Sequence, residues 1–150
     1  MTENLCVWSV WKNMRLMIDT NIFIDVLTER KPFFENSRNV LRLCEEKKVH
    51  GFLSASAVTD IFYLIHRHFH STDMAYKQLG YLLDIVKVLT VTNEDVVNAY
   101  VQKAADFEDC LLATCAKSNE CEAIVTRNKK DFSDFGIELL SPEELLSCFN

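Results

Sequence analysis

The 150-residue chain has little of what linkers, flexible loops and membrane spans are made from. It contains only 3 Gly and 2 Pro, which argues against long loops and low-complexity tracts. No apolar stretch reaches the roughly 20 residues that a membrane-spanning helix needs, and no secretory cleavage pattern follows the N-terminus. Because 49% of the residues are hydrophobic, we expect one cytoplasmic domain with a substantial core and no membrane partner.

The 6 cysteines lack the spacing of a zinc site, since no two of them form a C-x-x-C pair. Cys110 and Cys115 are five residues apart, so they do not share one face of a helix. A disulfide framework is also improbable in a domain with this much core. We therefore predict buried, reduced thiols.

Net positive charge is also lacking, because 22 acidic residues outnumber 16 basic ones and the net charge is −6. A protein that holds nucleic acid by neutralising phosphates is usually basic. The balance lowers the odds of RNA binding without excluding it, since basic residues can cluster and metal ions can screen a site. Arg127, Lys129 and Lys130 form one such cluster.

The first 13 residues stand apart from the rest, because they include Trp8 and Trp11 but show no clear period. They are either an extra ordered arm or a stretch upstream of a true start at Met14, and we favour the second interpretation. We predict a single domain over residues 14–150, with an extension of unclear role before it.

Short apolar runs alternate with segments of helical period along the remainder of the chain. The predicted strands are residues 16–18, 51–53, 87–91, 123–125 and 137–140. This alternation predicts an α/β fold, a Rossmann-like three-layer α/β/α sandwich with a central parallel sheet. Ligands of such sheets bind beyond the carboxyl ends of the strands.

Asp19 directly follows the first predicted strand, and Thr126 directly follows the fourth. We therefore expect both side chains at the same edge of the sheet. An Asp at such a junction is often an ordinary helix cap. Because Thr20 can supply the cap instead, we expect the carboxylate of Asp19 to face the cleft.

Other acids are candidates for the same cleft. Asp106 and Asp109 share one helical face, although acids at a helix start are also favoured by the macrodipole. Asp60 lies opposite the apolar stripe of its helix and, on periodicity alone, is an ordinary exposed acid. Asp131 can also cap its helix or pair with a lysine. Gathered carboxylates repel each other, and a divalent cation is the usual reason to tolerate that.

The order of these motifs resembles that of PIN-domain nucleases, above all the small bacterial VapC-type toxins. The motifs are Asp19-Thr20-Asn21 after a strand, a mid-chain helix acid, Asp106-Phe107-Glu108-Asp109 and the segment 126–132. The resemblance runs from about Arg15 to the C-terminus. It implies a PIN-like fold and Mg²⁺- or Mn²⁺-dependent cleavage of RNA by the toxin of a toxin–antitoxin pair.

The resemblance also implies roles for individual residues. Asp19, Asp60 and Asp109 match the catalytic, metal-binding acids of the family, although a Glu is more usual in place of Asp60. Asn128 stands where the family often has Asp, so Asp106 and Asp131 are candidates for the missing ligand. The expected substrate-binding residues are Thr20, Asn21, Thr126, Arg127, Asn128 and Lys129.

Two protein partners follow from the same resemblance, namely a cognate antitoxin and a second copy of the chain in a homodimer. Tyr63 and Leu64, beside Asp60, are candidates for either contact. One alternative is a PIN-like module that binds protein and has weak or no activity. A second is a receiver-like signalling domain, which needs an acidic pair after the first strand, where this chain has one acid.

Overall fold

The computed structural model describes residues 13–149, so the arm that carries Trp8 and Trp11 lies outside the described residues. Within them, five parallel strands form one sheet in the order β3-β2-β1-β4-β5. The strands are β1 Arg15–Ile18, β2 His50–Ser54, β3 Lys87–Leu89, β4 Ala123–Val125 and β5 Glu138–Leu140. All five predicted strands are confirmed, although β3 ends two residues earlier than predicted.

The order of the strands contradicts the receiver-like alternative. Doubly wound folds of that type have the order 2-1-3-4-5, in which β1 lies between β2 and β3. Here β1 pairs with β2 on one side and with β4 on the other. The receiver-like prediction is therefore wrong.

The helices connect the strands and cover both faces of the sheet. They are α1 Thr20–Leu27, α2 Phe34–Glu45, α3 Val58–Phe69, α4 Thr72–Ile85, α5 Asn93–Gln102, α6 Phe107–Ser118, α7 Lys129–Phe132 and α8 Pro142–Ser147, and a 3₁₀ turn, Ala55–Ala57, precedes α3. The last helix begins with a capping box that Ser141 and Glu144 form around Pro142.

Two hydrophobic clusters lie on opposite faces of the sheet, because successive strand residues point in opposite directions. In β1, Leu16 and Ile18 pack into the cluster beneath α1 to α4, whereas Met17 packs into the cluster beneath α6 and α7. Both faces of the sheet are therefore covered by helices. The predicted three-layer sandwich with a central parallel sheet is confirmed.

Four of the five described cysteines are buried thiols, as predicted, and Cys148 is half-buried. Cys44, Cys110, Cys115 and Cys121 are buried, and no disulfide forms within residues 13–149. Burial raises the pKa of the Cys44 thiol to about 12 and that of Cys121 to about 11. Because the thiolate is the reactive form, these side chains are unreactive at neutral pH. No helix in the same part of the chain is both long and apolar enough to cross a bilayer.

Candidate active site

The carboxyl ends of β1 and β4 lie side by side and bring two predicted site residues together. Ile18 and Val125 are partners in the sheet, and the backbone N–H of Asp19 donates to the carbonyl of Val125 at 3.0 Å. The Thr126 hydroxyl donates to Oδ2 of Asp19 at 2.8 Å. Asp19 and Thr126 thus meet at one edge of the sheet, as the predicted parallel order requires.

Asp19 occupies the N-cap position of α1 with an extended backbone (φ −65°, ψ 142°), and Thr20 is the first helical residue. The prediction that Thr20 is the cap is therefore wrong. The carboxylate of Asp19 nevertheless makes no capping hydrogen bond. Only 6% of the residue is exposed, and this burial raises its pKa, although the Thr126 bond, the amides of Thr20 and Asn21 and the charge of Arg127 lower it.

A small cavity opens between the start of α1, the 3₁₀ turn after β2 and the start of α6. Its lining consists of Asp19, Thr20, Ser56, Ala57, Glu108, Asp109 and Leu112. Two acids predicted to be catalytic, Asp19 and Asp109, therefore share one cavity. The sheet positions the first of them, and the first turn of α6 positions the second.

Sequence reasoning missed the two other hydrophilic residues of this cavity, Ser56 and Glu108, as well as the apolar Ala57 and Leu112. The side chain of Ser54 at the end of β2 is buried; it accepts the N–H of Ser56 at 3.3 Å, and the two hydroxyl oxygens lie 2.7 Å apart. The signal in the sequence is the polar Ser-x-Ser at the end of β2, because the carboxyl end of this strand lies at the same edge of the sheet as those of β1 and β4. Glu108 lies inside the Asp-x-x-Asp motif, whose three-residue spacing selects Asp106 and Asp109 and leaves Glu108 out.

Asp109 is half-buried among other acids. Burial raises the pKa of its carboxyl to about 7, and the charges of Asp106, Asp19, Asp131 and Glu108 add to the shift. Burial also raises the pKa of Glu108, with further contributions from the charges of Asp60, Asp106 and Asp19. Carboxylates from distant parts of the sequence therefore interact electrostatically around this cavity.

Asp106 and Asp131 are placed beside the cavity and do not line it. Asp106 is the N-cap of α6, and its Oδ1 accepts the backbone N–H of Asp109 at 3.0 Å, which is ordinary capping. Asp106 and Asp131 line a second, neighbouring groove together with Asp109, Lys130 and Asp134. Asp109 borders both depressions and is the link between them.

Asp60 is exposed in the first turn of α3 and does not line the cavity. Its charge contributes to the raised pKa of Glu108, which lies at the cavity. Within residues 13–149, no three His, Cys, Asp or Glu side chains form a ready-made ligand cluster. The acids are gathered at one end of the fold and are not already assembled around a single point.

The basic residues of the third motif are mostly engaged elsewhere. Nε of Arg127 donates to Asp25 at 2.7 Å, and Nζ of Lys129 donates to Glu144 at 2.6 Å. Lys130 is exposed beside Asp109 in the second groove.

Asn128 is exposed, and its backbone N–H donates to Thr126 Oγ1 at 3.0 Å. Asn21 is half-buried in the first turn of α1.

Comparison with known proteins agrees with this fold and motif order. The family model of the PIN domain matches residues 15–130. Ribonuclease VapC1 of Aquifex aeolicus is 23% identical over 141 residues, which is 91% of this chain and 96% of that protein.

Two solved structures show the same fold. The DNA-bound VapBC structure from Salmonella typhimurium has a TM-score of 0.67 at 18% identity and covers 86% of this chain and 98% of its own. The Mycobacterium tuberculosis VapC20 structure, described as a sarcin–ricin loop cleaving toxin, has a TM-score of 0.63 at 15% identity, with 81% of this chain and 95% of its own covered. With its family-model match, sheet order and acidic edge, this chain belongs to the PIN-domain family.

Proposed function

We propose that this protein is a divalent-metal-dependent endoribonuclease, the toxin of a toxin–antitoxin pair acting on RNA in the cytoplasm. The observation that carries the proposal is the cavity that Asp19 and Asp109 share, where both carboxyls have a raised pKa. Membership in the PIN-domain family and the similarity to Ribonuclease VapC1 support it.

The residues around the cavity fit a hard divalent cation. Mg²⁺ and Mn²⁺ prefer oxygen ligands, and the lining offers carboxylates and hydroxyls from Asp19, Asp109, Glu108 and Ser56. Burial raises the pKa of Asp109 and repulsion from the neighbouring acids adds to the shift; that repulsion is relieved when a positive ion binds between the acids. Mg²⁺ keeps several of its waters, so two or three carboxylates are enough to hold it.

Asp19 and Asp109 would be the main ligands in this proposal. Asp60 would act from the rim, and its side chain is one methylene shorter than the Glu usual in the family, so it would hold the ion through water. Asp106 and Asp131 would add negative charge from the neighbouring groove. A bound Mg²⁺ or Mn²⁺ would polarise the scissile phosphate and make water a better nucleophile.

The side chains of the cleft then have distinct tasks. The Thr126 hydroxyl holds the Asp19 carboxylate in one orientation, which keeps a ligand oxygen in place without reorganisation. Asp60 orients the attacking water or accepts its proton. Thr20, Asn21 and Asn128 offer neutral hydrogen-bonding groups for the substrate near the acids.

Phosphate contacts would come mainly from Lys130, because Arg127 and Lys129 are already paired with carboxylates. A chain with net charge −6 has little attraction for RNA of its own. We therefore expect weak, salt-sensitive RNA binding that depends on the cation to offset the acidic cleft.

The toxin role brings two protein partners, an antitoxin and a second copy of the chain. The solved structures that are similar in fold to this chain include VapBC complexes. Exposed apolar side chains are available for these contacts. Among them are Tyr63 on α3, which is 62% exposed, Tyr76 on α4, and a stripe on α5 that carries Val97, Tyr100 and Val101.

The second candidate is a PIN-like module that binds protein but cleaves RNA poorly or not at all. Three observations favour it, namely the amide of Asn128, the short Asp60 and the lack of a ready-made ligand cluster within residues 13–149. Metal binding without RNA cleavage would support this candidate over the nuclease.

The test is RNA cleavage by purified protein with Mg²⁺ or Mn²⁺, compared with excess chelator. We expect cleavage with the metal, none with chelator and none by Asp19→Asn. Asp84→Asn changes an exposed acid on α4 and serves as the control that keeps wild-type activity. Full cleavage in chelator, or by Asp19→Asn, would overturn the proposal.

A further inference from the structure

Asp25 is a fully buried carboxylate in α1, six residues after Asp19, with 0% of the residue exposed. A buried charge is costly unless its oxygens are paired. Arg127 donates from Nε to Oδ2 at 2.7 Å and from Nη2 to Oδ1 at 3.1 Å. The Ser37 hydroxyl, from α2, donates to Oδ2 at 3.0 Å. Both oxygens of Asp25 therefore have partners.

The guanidinium of Arg127 is fixed from two directions. Its planar fork meets Asp25 through two parallel bonds, and its central carbon lies 3.8 Å from the centroid of the Phe33 ring. Its side chain is only 16% exposed. A bidentate and stacked arginine has a defined position, and two of its three nitrogens are already used.

This pair adjoins the contact that orients Asp19. Thr126 precedes Arg127 directly; it is fully buried, and its hydroxyl donates to Asp19. The segment after β4 is therefore attached to α1 twice, by Thr126 to Asp19 and by Arg127 to Asp25. Two attachments at adjacent residues restrict rotation of that segment relative to α1, and the backbone N–H of Asn128, which donates to Thr126 Oγ1 at 3.0 Å, depends on the same segment.

We propose that the Asp25–Arg127 pair is a positioning device, which holds the Thr126 hydroxyl against Asp19 and so keeps that carboxylate ready for the divalent cation. In this proposal Arg127 is a positioning residue, whereas the sequence predicts that it contacts substrate. This inference rests on the proposed metal-dependent nuclease function. Partners that orient a ligand in this way typically contribute about tenfold to a hundredfold in metal affinity.

A direct phosphate contact by Arg127 is the rival explanation, and a variant of Asp25 distinguishes between the two explanations. Because Asp25 is fully buried, it has no access to RNA. If Arg127 contacts phosphate, its removal weakens RNA binding, and loss of Asp25 has no matching effect. If the pair positions Thr126, removal of either partner produces the same defect in cation binding.

The experiment measures Mn²⁺ affinity by electron paramagnetic resonance, together with kcat and KM for RNA cleavage. The variants are Asp25→Asn, Arg127→Gln and the two combined. Each single variant should weaken Mn²⁺ binding about tenfold and lower kcat, with KM for RNA unchanged. The combined variant should be no worse than either single one, because the two residues act as a unit. Arg127→Lys keeps the charge and loses the fork, so it should restore little.

Loss of the buried pair also threatens folding, so a second combined variant, Asp25→Leu with Arg127→Met, replaces it by apolar side chains. Such replacements often preserve stability, which circular dichroism melting will check. This variant should fold and still bind Mn²⁺ about tenfold more weakly. Lys48→Gln breaks the exposed ion pair with Glu46, 3.0 Å long and distant in the fold, and should leave Mn²⁺ affinity unchanged.

Several results would overturn the inference. Wild-type Mn²⁺ affinity in the folded apolar double variant would do so, as would a raised KM confined to the Arg127 variants. Those results leave the nuclease proposal intact, provided that the wild-type protein binds Mn²⁺ and cleaves RNA. A wild-type protein that does neither would contradict the nuclease proposal, and with it this inference.

Discussion

Thr126 donates its hydroxyl to Oδ2 of Asp19 at 2.8 Å, across 107 residues of sequence. The contact exists because β1 and β4 are neighbours in a parallel sheet and both end at the same edge. It fixes the most buried acid of the cleft, which is the N-cap residue of α1 but makes no side-chain capping hydrogen bond. The charge of Asp19 is thereby directed to the cavity that it shares with Asp109.

The first prediction concerns the stability of the metal-free protein as a function of pH. The pKa of Asp109 rises from 3.8 to about 7 on folding, so the folded state holds a proton that the unfolded state releases. Between about pH 4 and pH 7, this group therefore makes the free energy of unfolding fall as pH rises. Above pH 7 the loss is complete and constant.

Asp109→Asn removes this effect and isolates it from the other acids. In chelator we expect the variant to melt at a higher temperature than wild type at pH 7.5, and the difference to shrink towards pH 4. Thermal melts at a series of pH values measure it. A variant that is equally or less stable than wild type at pH 7.5 would show that burial and the neighbouring acids do not disfavour the charged form of Asp109.

The second prediction compares Glu108 with Glu94, which occupy the same position in the first turns of α6 and α5 and are both exposed. Both side chains gain equally from the helix macrodipole. Only Glu108 also faces the charges of Asp60, Asp106 and Asp19. In chelator at low salt, Glu108→Gln should raise the melting temperature relative to Glu94→Gln.

Salt provides the check on that comparison. Because exposed charges are screened at high ionic strength, the difference between the two variants should narrow in about 1 M salt. Identical melting temperatures at low salt would mean that Glu108 does not take part in the acidic cluster.

The positions of the apolar runs and of the polar residues that follow them are enough to predict the sheet and the contact between Asp19 and Thr126. Each strand is a short apolar run, and parallel strands end at a common edge. The helix start at Asp106 was open to two interpretations, since an acid there both caps and repels, and the structure has it capping Asp109. Propensity alone does not decide between those roles.

The ion pair of Arg127 cannot be predicted from the sequence, for a physical reason. Its partner Asp25 is 102 residues away, and nothing in the local pattern of α1 marks Asp25 as buried. Three neighbouring basic residues look alike in sequence. In the fold, two of them pair with acids from different helices, Asp25 and Glu144, and Lys130 is exposed in the groove beside Asp109.

The third prediction tests the packing that supports the sheet and uses two glycines. A Cβ at Gly51 in β2 would lie 2.5 Å from Cys44 Sγ and 3.1 Å from Val86 Cγ1, whereas a Cβ at Gly80 in α4 would meet nothing within 4 Å. Gly51→Ala should lower the free energy of unfolding by about 1–3 kcal/mol through overpacking. Gly80→Ala should raise it by about 0.5–1 kcal/mol, because alanine favours a helix.

Denaturant unfolding of the two glycine variants measures both changes. The two substitutions are expected to change the free energy of unfolding in opposite directions. A neutral Gly51→Ala would indicate that α2 and β2 are less closely packed than the structure has them.

The central claim is that acids distant in sequence bind one divalent cation, and cation-induced stabilisation tests it most directly. Protein stripped with chelator is melted with and without excess Mn²⁺, beside Asp19→Asn, Asp109→Asn and the control Asp84→Asn. A ligand that binds only the folded state raises its melting temperature. We predict a clear rise for wild type and Asp84→Asn and none for the two site variants; no rise in wild type, or an equal rise in Asp19→Asn and Asp109→Asn, would contradict the claim.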